Sequence, residues 1–219
     1  VRFRFWNLSA RDNVNLYLFI GVLFVVGAVF GGLLVRALTF EQQQDLAETL
    51  GLYMQNVGGG TGLHPAAVFW DGFVFYAKWI LLIWLLGMSV IGVPLVLVLD
   101  FLKGVLVGFT AGLLVHEFAW KGLLFFLATV APPNALAVPA LMIASASAAR
   151  FAYFIVRERL FRRKGRMMPP FLAHTAVAAL MLIMVGLASI YEAYVSPLLL
   201  ERVTPHTTPA SHSSAAVRL

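Results

Sequence analysis

Apolar residues in this chain come in long unbroken runs, not in the alternation of half-buried strands. The first runs from Leu16 to Val35, 20 residues, enough to cross a hydrocarbon core of ~30 Å as a helix. The second, Val74 to Val115, is 42 residues long and carries only Lys78, Asp100 and Lys103 as ionisable groups. A helix of that length would reach about 63 Å at 1.5 Å per residue, so the chain must turn back within it. The charged pair Asp100 and Lys103 marks the place for that turn, giving spans of about 74–99 and 101–118, the earlier one bent near Gly92 and Pro94. A third stretch, Trp120 to Arg157, is interrupted by Pro132, Pro133 and Pro139, which cannot donate to a helical ladder. Its first piece, Leu123–Val130, is too short to cross and reads as a surface helix or a re-entrant half-helix; the span itself is 139–156. The last run covers about 171–196. The pattern predicts an all-α polytopic membrane helix bundle with about five transmembrane spans, near 16–35, 74–99, 101–118, 139–156 and 171–196, the fourth element broken by proline.

The segments between the runs differ in kind. Residues 39–71 form the longest polar stretch. Thr39 and Gln42 have the spacing of a capping box. Leu46, Leu50, Tyr53 and Val57 then recur on one face of a helix, which predicts one amphipathic outer helix ended by Gly58, Gly59 and Gly60. Residues 157–166 concentrate Arg157, Arg159, Arg162, Arg163, Lys164 and Arg166. Residues 201–219, rich in Pro, Ser, Thr and His, read as a disordered extracytoplasmic tail.

Composition sharpens this picture. Hydrophobic residues make up 61% of the 219 positions and charged ones 12%, about half the charged share of a soluble domain, so a soluble enzyme is excluded. The bundle takes up 1–200 as one domain. The net charge of +6 is then a topology signal, not a footprint for nucleic acid, which is not expected as a partner. With the predicted spans, ten basic residues fall on one side: Arg2, Arg4, Arg11, Lys103 and the six of the 157–166 loop. Five fall on the other: Arg36, Lys78, Lys121, Arg202 and Arg218. This places the N-terminus in the cytoplasm and the C-terminus outside, in a multi-pass cell-membrane protein. The first run exceeds the ~7–15-residue core of a signal peptide and is read as an uncleaved span. Position 1 is Val, which reads as a trimmed or processed start. The absence of cysteine excludes disulfides, thiolate metal sites and a cysteine nucleophile.

Few residues suggest chemistry. Gly104, Gly108 and Gly112 give two GxxxG steps, Gly27 and Gly31 another, and Ala144 and Ala148 a small-xxx-small pair; such spacing lets helix backbones approach closely. Packing within one bundle is the simpler use of these faces, and a homo-oligomer the alternative. Asp100 and Lys103, one turn apart, read as an ion pair at an interfacial turn or as a proton or ion relay. Arg150 either snorkels to the interface or lines a groove, and Glu192 reads as interfacial. His116–Glu117 lacks the second histidine of a zinc-protease helix, since Trp120 stands four residues on. Ser145 and Ser147 lack the glycine setting of an intramembrane serine protease, with His174 their sole candidate base. No catalytic set, metal site or cofactor is expected. The lipid bilayer is the certain partner, and the basic loop has the charge to meet anionic headgroups.

Several stretches resemble one family. Trp84-Leu-Leu-Gly-Met-Ser-Val-Ile-Gly-Val-Pro94, Phe101-Leu-Lys-Gly-Val-Leu-Val-Gly-Phe-Thr-Ala-Gly112, Tyr191-Glu-Ala-Tyr-Val-Ser-Pro197 and Gly27-Ala-Val-Phe-Gly31 are similar to the stage II sporulation protein M family. Wider relatives carry Pro-His-Gly-x-x-Glu-x-Pro-Ala; here the stretch is Pro132-Pro-Asn-Ala-Leu-Ala-Val-Pro-Ala140, with Pro133 and Ala137 in place of the His and Glu. The resemblance implies a non-enzymatic scaffold of endospore-forming bacteria. It would recruit and position peptidoglycan hydrolases resembling stage II sporulation proteins D and P in the mother-cell membrane at the septum, for septal wall thinning and engulfment. A small transporter or channel, or a conformational activator of the hydrolases, are the alternatives. The Leu46, Leu50, Tyr53 and Val57 stripe is the candidate partner surface.

Overall fold

The computed structural model describes residues 10–39, 64–89, 91–156 and 167–196, with 41, 42, 44–46, 48 and 49, and gives side chains from Val14 onward. Arg2, Arg4, the Arg11 side chain, Leu50, Tyr53, Val57, Gly58 to Gly60, the basic loop and the tail lie outside the described residues.

All described regular structure is helical. In chain order there are α1 (Ala10–Leu34), α2 (Pro65–Gly87), α3 (Gly92–Phe125), α4 (Ala131–Ile155) and α5 (Met168–Ile190). A 3₁₀ turn at Val35–Ala37 extends α1, and π-helical turns at Phe126–Val130 and Tyr191–Val195 precede α4 and follow α5. Proline opens two of these helices, Pro65 in α2 and Pro169 and Pro170 in α5, whereas Pro132 and Pro133 follow the π-helical turn that leads into α4. The first turn is where a missing N–H costs nothing, because those donors have no intrahelical partner. The outer segment begins with the capping box: Gln42 N donates to Thr39 Oγ1 at 3.4 Å, and Thr39 N to Gln42 Oε1 at 3.1 Å. Residues 41, 42, 44–46, 48 and 49 are helical beyond it.

Among the described residues, four segments are long and apolar enough to cross a membrane: Val14–Ala37, Pro65–Gly87, Gly92–Ile155 and Met168–Val195. The third, 64 residues long, folds back on itself. Ala119 breaks it with φ 48° and ψ −125°, and Gly122 returns so close that a Cβ there would meet Leu114 O. Farther down, Ser145 of α4 bonds Asp100 of α3, as two antiparallel arms require. The described residues therefore make five helical passes, and the start of α1 and the end of α5 lie at opposite ends of the bundle.

Two span boundaries differ from the hydropathy reading. The first reversal is at Met88–Ile91, not at Asp100–Lys103. Met88 N and Ser89 N close the end of α2 on Leu85 O and Leu86 O, Gly92 N bonds Ser89 O, and a side chain at Gly92 would collide with Leu86 O. Hydropathy could not find this turn, because it carries no charge; Asp100 and Lys103 lie about 14 and 18 Å beyond it at 1.5 Å per residue. The fourth pass does not begin at Pro139: beyond Ala119 the chain stays helical through the π-helical turn into α4, and Pro132, Pro133 and Pro139 lie within this arm without ending it.

The main core lies between α2, α4 and α5, with Val96 of α3 added: Tyr76, Ile80 and Ile83 meet Ala137, Ala140, Leu141, Ala144 and Ala148 on one side and Ala178, Met181, Val185 and Ala188 on the other. Alanines fill α4 because it is enclosed by neighbours and has no room for larger groups. Val22, Val25, Val29, Leu81, Leu85, Ile183 and Leu187 point outward, as lipid-facing residues of a membrane bundle do.

Candidate functional site

The small-residue faces are placed inside the bundle. Phe24 meets Gly104, Ala28 meets Gly108 and Gly32 meets Gly112, a constant offset that parallel helices alone give. A Cβ at Gly27 would sit 3.2 Å from Val105 N, and one at Gly31 2.9 Å from Phe109 N. The backbones of α1 and α3 are thus in direct contact along this face. Ala144 is in the core, and Ala148 lies against Gly87, whose own Cβ would fall 2.8 Å from the alanine's.

The opposite side of α3 carries charge into the interior. Asp100 is 4% exposed, and its Oδ1 accepts from Ser145 Oγ at 2.7 Å. Its Oδ2 has no hydrogen-bond partner. Lys103, 6% exposed, does not pair with Asp100; its ammonium lies 5.1 and 4.9 Å from the ring centres of Phe75 and Tyr76. Those rings offer a cation their negative faces, which suits an ammonium withdrawn from water. Glu192, in the π-helical turn after α5, points inward against Gly72 and Ser189, with Oε2 buried and unpartnered. It interacts electrostatically with Lys103 and Tyr76 without closing an ion pair. The reading of Asp100 and Lys103 as an ion pair at an interfacial turn is corrected accordingly: both are buried in the bundle, well past the reversal at Met88–Ile91.

A second polar cluster joins α2, α4 and α5. Ser147 Oγ is 3.0 Å from His174 Nδ1, and His174 Nε2 is 3.2 Å from Trp84 O. A carbonyl can only accept, so Nε2 carries the proton and Ser147 donates to Nδ1. Phe151 stacks on the imidazole at 5.2 Å, and Trp84 Nε1 donates to Thr175 Oγ1 at 3.2 Å. Arg150 tethers α4 to α1: Nε donates to Ala146 O at 3.0 Å and an Nη to Tyr17 Oη at 2.9 Å, with the guanidinium over the Tyr17 ring. Hydropathy and spacing do not join Ser147 to His174 as a bracing pair, and they assign no contact to Trp84, Tyr17 or Tyr76. A serine two positions from another in an alanine-rich helix, with one histidine on the next, was the available signal.

Pro133 and Ala137 are buried in packing. Neighbouring Asn134 donates to Val130 O at 2.8 Å, leaving Oδ1 buried and unpartnered. Among the described residues no three His, Asp or Glu side chains gather as metal ligands. Of the candidate partner stripe only Leu46 is described, half-buried on its helical segment.

A sequence model of the family described as "Stage II sporulation protein M" matches residues 20–197, from within α1 to the residue after Ser196. The chain belongs to this family and is a sporulation-related membrane protein. No curated protein and no solved structure matches it.

Proposed function

We propose that this protein is a membrane scaffold that recruits and positions peptidoglycan hydrolases at the sporulation septum, for wall thinning and engulfment. The observation that carries the reading is the reach of the family match, which runs from within α1 to the end of the last described helix. The interior adds support. Ser147 and His174, the nearest thing to a nucleophile and base, are 8% and 3% exposed and brace three helices. On this reading the partners resemble stage II sporulation proteins D and P, and the protein sits in the mother-cell membrane, N-terminus in the cytoplasm and C-terminus outside. With Lys78 and Lys103 moved inside helices, nine basic residues remain on the cytoplasmic side against four outside, so the asymmetry survives. A cysteine introduced at position 60 should react with an impermeant thiol reagent in intact cells and one at 164 should not; the reverse pattern would invert the topology.

The recruiting surface is assigned to the 39–71 segment, whose apolar stripe suits a partner helix laid in a groove. Charged substitutions at Leu50 and Tyr53 should abolish co-purification of the hydrolases and block engulfment at unchanged protein level. Normal engulfment in those variants would move the surface to the His116–Lys121 turn or to the Glu192 end. The purified protein should not cleave peptidoglycan. A second reading, a small transporter or channel, is favoured by charges buried in mid-bundle, which are functional by default; solute flux into liposomes holding the protein alone would decide for it.

A further inference from the structure

Interior polar groups in this bundle are mostly matched. Ser145 serves Asp100 Oδ1, Ser147 and the Trp84 carbonyl serve His174, and Ala146 O and Tyr17 serve Arg150. One set is not. Asp100 Oδ2 and Glu192 Oε2 are buried acceptors without donors. Between them in height, Lys103 rests on two aromatic faces and its N–H donors meet no acceptor among the described residues. Helical spacing sets Asp100 one turn from Lys103, and sets Tyr76, under the Lys103 ammonium, one turn from Gly72, which Glu192 Oε2 faces, so these unmatched donors and acceptors follow one another along the bundle and leave a gap in its hydrogen bonding. Water has the right chemistry for such a gap, since it donates and accepts at once.

Charge adds a second requirement. In their ionised forms two carboxylates face one ammonium, and one excess negative charge away from bulk water must be balanced. Among the described residues no neighbouring cation closes an ion pair with either carboxylate. From α1 the titratable side chain between 14 and 35 is Tyr17, which is bound to Arg150. From α4 come Ser145 and Arg150, the latter engaged with Ala146 O and Tyr17. From α2 comes Tyr76, and from the turn after α5 Glu192 itself.

We propose that Asp100, Lys103 and Glu192 enclose a hydrated site for one small monovalent cation, a proton or an alkali ion, with Asp100 Oδ2 as its principal ligand. The site is independent of the recruiting surface assigned above, and either reading can fail without the other.

The test uses the full chain in lipid nanodiscs and needs no hydrolase. Thermal unfolding is followed in two series: sodium exchanged for N-methylglucamine at constant ionic strength and pH, and pH varied at constant sodium. A ligand of the folded state alone raises the midpoint with its concentration. Dependence on sodium identifies an alkali ion, and dependence on pH alone a proton. Either dependence should vanish in Asp100→Asn and weaken in Glu192→Gln, which removes the same excess charge from the other end. Hydration is read separately in this cysteine-free chain. A cysteine at 103 should react with 2-aminoethyl methanethiosulfonate at least about tenfold faster than one at lipid-facing 102, because the reactive thiolate needs water. The proposal is overturned if the wild-type midpoint follows neither ligand, if its dependence persists unchanged in Asp100→Asn, or if the thiols at 103 and 102 react alike; should Asp100→Asn not fold, Glu192→Gln and the thiol comparison decide.

Discussion

Gly31 and Gly32 are adjacent on α1, yet the structure assigns them opposite tolerance for a methyl group. A Cβ at Gly31 would run into Val105 O, with Val105 C at 2.8 Å and Phe109 N at 2.9 Å, all backbone of α3. Backbone atoms of a packed helix cannot step aside as a flexible side chain can. The helices must separate by about 0.5–1 Å, and a gap of that size forfeits a quarter to a half of each dispersion contact along the seam. A Cβ at Gly32 would meet Gly108 O at 3.6 Å and nothing closer, an ordinary contact. Both substitutions gain the same helix propensity, about 1 kcal/mol for Gly→Ala, so that term cancels when the two variants are compared. What remains is the overpacking at Gly31, about 2–3 kcal/mol. For a chain of this length 1 kcal/mol moves the unfolding midpoint by about 2–4 °C. Gly31→Ala should therefore unfold about 4–12 °C below Gly32→Ala in the same lipid or detergent, with Gly32→Ala at or above wild type. Equal midpoints would refute the argument and mean that the α1–α3 seam is looser than described.

Gly108→Leu should destabilise the bundle by more than about 3 kcal/mol, because its side chain would start inside the Ala28 backbone, whereas Leu106→Phe on the 41% exposed outer face should stay within about 0.5 kcal/mol; thermal unfolding and monodispersity check both. Ala119→Gly should raise stability by about 1 kcal/mol or more, since Ala119 has a backbone conformation that only glycine adopts freely; a lower midpoint would refute the strain. Ser147→Ala should cost about 1–3 kcal/mol by leaving His174 Nδ1 unpartnered, and a double-mutant cycle with His174→Phe should show coupling above about 0.5 kcal/mol; additive losses would mean that the 3.0 Å contact carries no energy.

Much of this architecture was legible in hydropathy and spacing. Run lengths gave the number of passes, the Gly104–Gly112 face gave a close helix contact, and Thr39/Gln42 gave the start of the outer helix. The failures share one cause. A charge in a long apolar run reads as an exit from the membrane, which sets the first reversal at Asp100–Lys103. In the fold, Ser145 and the rings of Phe75 and Tyr76 make burial of those charges tolerable, and these partners lie 45 residues after Asp100 and 28 or 27 before Lys103. No local window contains both halves of such an arrangement. Proline is likewise a poor local stop signal: a π-helical turn precedes Pro132 and Pro133, and the helix continues through Pro139.

The two sides of α3 bear on whether this protein only holds its partners or also signals to them. One side is locked to α1 by backbone contacts that leave no room for sliding, since each of Gly27, Gly31, Gly104 and Gly108 sits against opposing main chain. The other side meets α2, α4 and the turn after α5 through charged groups whose hydrogen bonds are incomplete. Close-packed seams are bistable at best, whereas a partly satisfied polar cluster has alternative arrangements of similar energy. If the bundle changes conformation, α1 and α3 will move as one body against the rest, hinged at Met88–Ile91 and at the strained Ala119. Spectroscopic labels on α1 and α3 should then keep a fixed separation whatever is bound, while those on α3 and α5 change. A rigid scaffold predicts no change in either pair, and an activator working through any other division of the bundle would separate α1 from α3, which the glycine seam forbids.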